Sequence, residues 1–439
     1  MLVFKFGGTS VGKIENIHRI VKLINDDQPK IVVLSAMSGI TDILYDISNL
    51  HKSKQNNNAS EVIDIVKTRF LSTAEALLFN NDSLKKFYSI LDDKISHINT
   101  LINQDYTDII KNEIIVQGEI ITTELIQVYL EELTIKSVLI SAVNFMSINA
   151  DREPNYMNIE SRLKDELKNH KGTNIFITQG FICLNHKGEI DNLNRGGSDF
   201  TATIIGSVIN ASEIQIWSDI DGMHNNDPRF VENTKCIKNM SYQEAEELAY
   251  FGAKVLHPTC IYPAKVKGIP VLLKNTLKPN NAGTYISTIT EKVGIKAIAA
   301  KDKITAIKIQ SGRMLLAYGF LSKIFEIFNN YKTPVDMITT SEVSISVTID
   351  NTSNLDNIVK ELKKVGDVEV LHNQTLICLV GNLGAETKGE LSRILIALKE
   401  IPIRMVSYGS NSNNVTLLIN SEHKIKALQD LHSHLFSIN

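Results

Sequence analysis

Beyond about residue 293 this chain of 439 residues repeats itself. Pro334-Val335-Asp336-Met337-Ile338-Thr339 is echoed by Pro402-Ile403-Arg404-Met405-Val406-Ser407. Each run follows an amphipathic helical pattern (320–330 and 391–399) and precedes a strand-like alternation (343–349 and 415–419). Self-similarity of this kind marks copies of one supersecondary unit packed side by side. The first copy reads strand (304–310), helix, strand, strand, helix (355–365), strand (368–371), the split β-α-β order of a ferredoxin-like module. The second reads strand (376–380), helix, strand, strand, helix (425–435), and then stops one strand short. The apolar segment 293–299 can supply the missing edge, so the two modules are expected to interlock.

Residues 1–292 are organised differently. Short apolar runs at 2–6, 31–35, 138–140, 175–179 and 214–217 alternate with helical stretches, the signature of an α/β domain. Between 51 and 112 the sequence turns polar, Asn-rich and helix-periodic, which predicts a helical subdomain over about 50–115. Gln55-Asn56-Asn57-Asn58 is expected there as a loop. The expected domains are therefore 1–292, then 293–373 with an N-terminal strand shared with the second module, and 374–439.

With a formal net charge of -3, the chain has no excess of positive charge for nucleic acid or an anionic membrane. The longest apolar stretches, 31–36 and 376–380, are strand-length, against the roughly 20 residues a membrane helix requires. The N-terminus lacks a basic region and reaches glycine before a signal-peptide core could form, so a cytoplasmic protein is expected. Cys183, Cys236, Cys260 and Cys378 lack paired metal-ligand spacing and are expected as free, mostly buried thiols.

Chemistry concentrates in a few loops. Lys5-Phe6-Gly7-Gly8-Thr9-Ser10 lies between a first strand and a helix starting near Ile14. Paired glycines let backbone amides approach phosphate oxygens, a helix N-terminus favours negative charge, and a lysine neutralises it. A Gly-Gly turn alone is also ordinary turn chemistry. The run has neither the Walker ending nor the three-glycine dinucleotide spacing.

Asn194-Arg195-Gly196-Gly197-Ser198-Asp199 is a second glycine pair, flanked by guanidinium, hydroxyl and carboxylate and followed by a predicted helix over 201–208. Arginine suits bidentate recognition of a carboxylate, and amides beside it can stabilise a phosphoryl group in transfer. Trp217-Ser218-Asp219-Ile220-Asp221-Gly222 follows a strand; its acids can meet magnesium-bound water or ribose hydroxyls, or form a solvated turn. Gln117-Gly118-Glu119 marks a helix break where a carboxylate could hold an ammonium. Ser35-Ala36-Met37-Ser38-Gly39-Ile40-Thr41 ends a strand with small and hydroxyl residues, as a ligand loop does. In Phe251-Gly252-Ala253-Lys254-Val255-Leu256-His257-Pro258, His257 before proline reads as a helix cap.

Taken together, the N-terminal Lys-Phe-Gly-Gly-Thr-Ser, Gly118-Glu119, Arg195 to Asp199 and the Phe251 to Pro258 run resemble, in order and spacing, the aspartate kinases of the amino-acid kinase superfamily. The resemblance covers essentially the full length, and the C-terminal modules resemble the ACT domains of those enzymes. It implies an α/β fold: an amino-acid kinase (carbamate-kinase-like) α/β sandwich with a helical subdomain, then two ferredoxin-like βαββαβ ACT domains. The implied activity is transfer of the γ-phosphate of ATP, with Mg2+, to the β-carboxylate of L-aspartate, the first step of lysine, threonine and methionine biosynthesis.

By the same resemblance Lys5, Gly7 and Gly8 contact the transferring phosphates, and Asp199 orients Lys5. Glu119 holds the substrate ammonium and Arg195 its α-carboxylate, with Thr41, Gly196, Gly197 and Ser198 completing the pocket. Ser218, Asp219, Arg229, Lys254 and Val255 line the nucleotide site, as does His224, which stands where relatives often have tyrosine. Met314, Ala317, Phe320, Leu321, Val335, Asp336, Thr340, Ser341 and Glu342 resemble the effector site of the lysine-inhibited class, with Ala317 replacing a common serine. A monofunctional enzyme is implied, a homodimer through its ACT domains that can pair into tetramers. Kinases of the same superfamily acting on glutamate, acetylglutamate or nucleoside monophosphates generally lack the ACT tail. A decayed amino-acid sensor would have lost Lys5, Arg195, Asp199 and Lys254, all present here.

Overall fold

A computed structural model describes residues 1–194, 196–252, 256–289, 294–312, 318–383, 387–409 and 411–436. The chain forms two compact units. The first comprises Met1–Met223, Lys238–Tyr242 and Val255–Ile289; the second comprises His224–Ile237, Gln243–Lys254 and Thr290–Asn439. The segments 224–237 and 243–254 thus group with the C-terminal part.

Among the described residues, ten strands belong to the first unit: β1 (Leu2–Phe6), β2 (Lys30–Leu34), β3 (Ser137–Leu139), β4 (Ile175–Gln179), β5 (Ile182–Leu184), β6 (Ile190–Asn192), β7 (Glu213–Ser218), β8 (Asn239–Ser241), β9 (Val271–Asn275) and β10 (Thr284–Ser287). Eight of them make one sheet, in the order β3-β4-β2-β1-β7-β9-β10-β8, and β5 and β6 form a separate hairpin. The strands from β3 to β9 are mutually parallel, and β10 runs antiparallel to β9. Parallel strands are covered on both faces, so they read as unbroken apolar runs rather than alternations. β2 and β4 are buried at every position, including Lys30, whose ammonium donates to the Ile24 carbonyl at 3.0 Å and pairs with Asp26.

The register decides where a site can form. Phe6 lies opposite Leu34 and Trp217, and Leu34 opposite Gln179. The loops that begin at Gly7, Ser35, Gly180 and the end of β7 therefore leave the same edge of the sheet. Open parallel sheets bind ligands at such carboxyl ends.

Helices Asn56–Leu77, Asn81–Ile102, Asp108–Ile115 and Gln117–Glu132 account for the polar, periodic region. In Asn56–Leu77 the buried residues Ala59, Ile63, Val66, Phe70, Ala74 and Leu77 fall on one face at helical spacing. The loop expected at Gln55-Asn56-Asn57-Asn58 is corrected: only Gln55 precedes the helix, and the asparagines form its first turn. Asn58 bonds back to Gln55 Oε1 at 3.0 Å and Asn56 donates to the Ile102 carbonyl at 2.8 Å. Asparagine serves helix starts as readily as loops, which is why composition misled. The helix expected over 201–208 likewise begins earlier, spanning Gly197–Ile209.

Among its described residues the second unit contains one antiparallel sheet of six strands: β11 (Gly294–Gln310), β12 (Ile338–Thr340), β13 (Ser344–Ile349), β14 (Asp367–Asn382), β15 (Ile403–Tyr408) and β16 (Asn414–Asn420). Their order is β12-β13-β11-β14-β16-β15. The short strands expected at 293–299 and 304–310 are corrected to a single strand, β11, and those at 368–371 and 376–380 to β14. Lys301-Asp302-Lys303 and His372-Asn373-Gln374 interrupt the apolar runs, but register shifts carry the ladder through. Lys303 (φ 61) and Asn373 (φ 54) take left-handed backbone conformations there.

Each long strand serves two cores. Ile307 and Ile309 of β11 pack with Phe320, Ile324, Phe328 and Leu362, whereas Ile298 packs with Ile377, Leu379, Leu417 and Leu428. Among the described residues no helix is long and apolar enough to cross a membrane.

Candidate phosphoryl-transfer site

β1 carries Lys5 to the sheet edge, where its ammonium sits 2.6 Å from Asp199 Oδ1. Asp199 lies in the first turn of helix Gly197–Ile209, where the helix dipole stabilises a carboxylate. Both side chains are largely buried, at 11% and 14% exposure. They line a cavity of about 590 Å³ with Gly8, Gly196, Gly197 and Ser198. The two glycine turns, far apart in sequence, thus face one space.

Thr41 and Glu119 line that cavity from another side, with Asp42 and Tyr45. Glu119 comes from helix Gln117–Glu132, which lies hard against the loop after β2. A Cβ on Gly118 would stand 2.9 Å from Ala36 Cβ and 3.0 Å from Ile40 Cγ2, so only glycine permits this approach. Thr122 secures it, accepting the Met37 N–H at 3.2 Å and donating to the Gly118 carbonyl at 2.7 Å. Glu119 is consequently 3% exposed. Burial pushes its carboxyl up to about 8, despite the opposing bond from the Ala36 amide. Its Oε2 finds no partner among the described residues. A buried carboxyl with a vacant acceptor, opening on a cavity, is suited to a ligand ammonium.

A polar network missing from the sequence reading holds the second glycine turn. Arg152 grips Asp191 in bidentate fashion (2.9 and 3.0 Å) and donates to the Asn192 carbonyl at 3.2 Å. Asn112 donates to Asp191 at 3.2 Å and accepts from Asn192 at 3.0 Å. The Asn192 side chain in turn accepts the Asn194 N–H at 2.9 Å. The hairpin β5–β6 and the helix ahead of Glu119 are thereby tied to the turn at 194–197. No motif signals these scattered polar residues; only the fold gathers them. Arg195 lies outside the described residues. His257 heads helix Pro258–Lys267 without a side-chain cap bond, its ring paired with Thr259 at 2.8 Å.

A second cavity of about 530 Å³ shares Ser38 with the first and is lined by Thr9, Lys13, Arg19, Arg69 and Asp219. Arg69 Nη2 donates to the Ser38 carbonyl at 2.6 Å. Gly7 donates its N–H to the Trp217 carbonyl at 3.1 Å, and Ser218 accepts the Ile220 N–H at 3.2 Å. Of the other nucleotide residues expected from the sequence, His224 and Arg229 belong to the second unit. His224 bonds Thr234 at 3.0 Å there and Arg229 is clasped by Asp227. Lys254 and Val255 lie outside the described residues.

The expected effector residues all fall in the second unit. Phe320 is in its core, Val335 packs against that core, and Asp336 is buried in an ion cluster. Thr340 ends β12, Ser341 bonds Ser344 at 2.7 Å, and Leu321 and Glu342 are exposed. Met314 and Ala317 lie outside the described residues.

A lysine and two glycine turns beside a buried carboxyl with an open oxygen define a site for moving a phosphoryl group onto a small amino-acid substrate. The comparisons agree. Residues 1–275 match the Amino acid kinase family, and residues 377–435 match an ACT domain. Lysine-sensitive aspartokinase 3 of Escherichia coli is 31% identical over 99% of both chains. The crystal structure of E. coli aspartokinase III with aspartate and ADP, described as the R-state, superposes with a TM-score of 0.85 at 31% identity, over 99% of this chain and 100% of that one. The same enzyme with lysine and aspartate, described as the T-state, gives 0.81 at 30% identity, over 99% of each chain. The chain belongs to the amino acid kinase family, and within it to the aspartokinases that carry a C-terminal ACT domain.

Proposed function

We propose that the protein transfers the γ-phosphate of ATP to the β-carboxylate of L-aspartate. The observation that carries this is the convergence of the Lys5–Asp199 pair and Glu119 on one cavity. A β-carboxylate oxygen attacks the γ-phosphorus, the bond from that phosphorus to the β,γ-bridging oxygen breaks, and ADP leaves with the electron pair. The nucleophile is already ionised near neutral pH, so no base is needed and catalysis reduces to positioning and charge neutralisation. Lys5, held in line by Asp199, neutralises the group in transfer, with the amide of Gly8 beside it, while that of Gly7 fixes the turn on the Trp217 carbonyl. Glu119 takes the substrate ammonium, Arg195 its α-carboxylate, and Thr41, Gly196, Gly197 and Ser198 close the pocket. Ser218 and Asp219, in the loop after β7, hold the nucleotide.

Mg2+ fits this donor set as a phosphate-borne ion. Among the described residues no group of three His, Cys, Asp or Glu side chains converges, so the phosphates and water would hold it, with exposed Asp219 the nearby carboxylate. The ion would supply neutralisation of phosphate charge.

The C-terminal domains are proposed to carry feedback by an amino acid, with L-lysine the first candidate because the E. coli relative is lysine-sensitive and has been crystallised with lysine. Asp336 and Glu342 would receive the ammonium groups, with Met314, Ala317, Phe320, Leu321, Val335, Thr340 and Ser341 around them. A homodimer through the ACT domains belongs to the same proposal.

The test is ADP release coupled to hydroxylamine trapping of the acyl phosphate, with L-aspartate, L-glutamate or N-acetyl-L-glutamate as acceptor. Acyl hydroxamate is expected from L-aspartate; formation only from another acceptor overturns the substrate. Adding millimolar L-lysine or L-threonine to the same assay identifies the effector.

A further inference from the structure

The second unit contains a buried ion cluster that phosphoryl transfer does not use. Lys301 of β11 places its ammonium 2.9 Å from Asp336 Oδ1 and 2.9 Å from Asp350 Oδ2. The same ammonium lies 4.4 Å from the centroid of the Tyr250 ring, a cation–π distance. The Tyr250 hydroxyl donates to Asp336 Oδ1. Asp336 is held from behind, its N–H on the Thr348 carbonyl at 2.8 Å, and its side chain is 2% exposed. Its second oxygen, Oδ2, has no partner among the described residues.

Two carboxylates and the face of an aromatic ring form a receptor for a primary ammonium, occupied here by the chain's own lysine. One lysine against two aspartates leaves a negative charge in excess, and the vacant oxygen sits on the more buried of the two acids. A buried carboxylate oxygen without a partner is costly, so Asp336 retains an affinity for a further ammonium.

We propose that Lys301 is a tethered competitor for the ammonium of the amino-acid effector. This rests on the effector assignment made above. An incoming ammonium takes Asp336, and Lys301 falls back on the half-exposed Asp350, at 42% exposure. A tethered group competes at millimolar effective concentration, so it raises the effector concentration needed for half-occupancy. Tyr250 registers the exchange, because it loses the cation over its ring while its hydroxyl shares the contested oxygen. It ends helix Tyr242–Tyr250 and leads straight into Phe251-Gly252-Ala253-Lys254. Gly252 lies against β11 beside Lys301: a Cβ on it would come within 2.5 Å of the Ala300 carbonyl oxygen.

The experiment is calorimetric titration of L-lysine into the full-length wild-type protein and its Lys301→Met and Lys301→Arg variants, with thermal melts and turnover recorded alongside. Removing the competitor in Lys301→Met is expected to lower the Kd for L-lysine by about tenfold, since affinity is no longer reduced by the fraction of cages already occupied. Lys301→Arg, a stronger partner for carboxylates, is expected to raise it. Tyr250→Phe is expected to bind L-lysine yet be less inhibited at saturation; unchanged inhibition overturns its part. A folded Lys301→Met that binds no more tightly overturns the competition, and so does Lys301→Arg with an unchanged Kd, which also decides the matter if Lys301→Met does not fold. Wild-type protein that takes up no L-lysine at millimolar concentration overturns the effector assignment itself, and the competition with it.

Discussion

The ammonium of Lys5 and the carboxylate of Asp199 stand 2.6 Å apart at the carboxyl edge of the sheet, one carried there by β1 and the other by the first turn of helix Gly197–Ile209. An isolated lysine on a strand end would swing among rotamers; paired, it is aimed before a nucleotide arrives. Preorganised charge of this kind costs no rearrangement during the reaction.

Replacing Lys5 with alanine is therefore expected to lower kcat by roughly 10²–10³-fold or more, the scale seen when one preorganised charge-stabilising donor is removed. Asp199, left without its cation, then also repels the phosphates. Lys5→Arg should rescue little, because a planar fork doesn't reproduce a compact ammonium. Steady-state kinetics with L-aspartate and ATP, beside a circular-dichroism melt showing retained fold, checks this; near-normal turnover would refute the role.

Glu119 makes aspartate binding depend on pH. Its carboxyl is held up to about 8 by burial, against an ordinary value of 4.5, so the free protein at pH 7 carries it mostly protonated. An ammonium beside it favours the ionised form, and binding must expel that proton. Calorimetry in buffers of different ionisation enthalpy should register release approaching one proton per aspartate at pH 7, vanishing well above pH 8. Equal apparent enthalpies in all buffers at pH 7 would refute it.

The same group links stability to pH. Between about pH 5 and 8 the folded chain holds one proton more at Glu119 than the unfolded chain does, so its contribution to stability falls as pH rises through that window. Glu119→Gln removes this dependence. Its melting temperature relative to wild type should climb from pH 5 to 8.5, in scans where the two proteins differ by a constant offset if the assignment is wrong.

Gly118→Ala tests the packing that presents Glu119. Its Cβ would meet Ala36 and Ile40 at about contact-violating range, and the helix must retreat from the loop after β2. We expect a loss of about 1–3 kcal/mol in stability, typical of overpacking, and a KM for aspartate that rises more than kcat falls. Denaturant melts and initial rates measure both; an unchanged KM would refute the coupling.

Much of this was legible in residue order. Alternating apolar runs specify a parallel sheet because strands covered on both faces need continuous side-chain burial, as β2 and β4 have. The glycine pairs, Glu119 beside Gly118 and the echo of 334–339 in 402–407 announce loops and modules through local chemistry. What residue order could not decide were relations between distant segments. Polar interruptions at 301–303 and 372–374 look like strand ends, yet inter-strand bonding bridges them, so that β11 and β14 each serve two cores. Arg152, Asp191 and Asn112 carry no motif, and Lys301 reads as an ordinary surface lysine until folding surrounds it with Asp336, Asp350 and Tyr250. Local propensity and periodicity are properties of neighbours along the chain, whereas a buried charge acquires its meaning only from what packs around it.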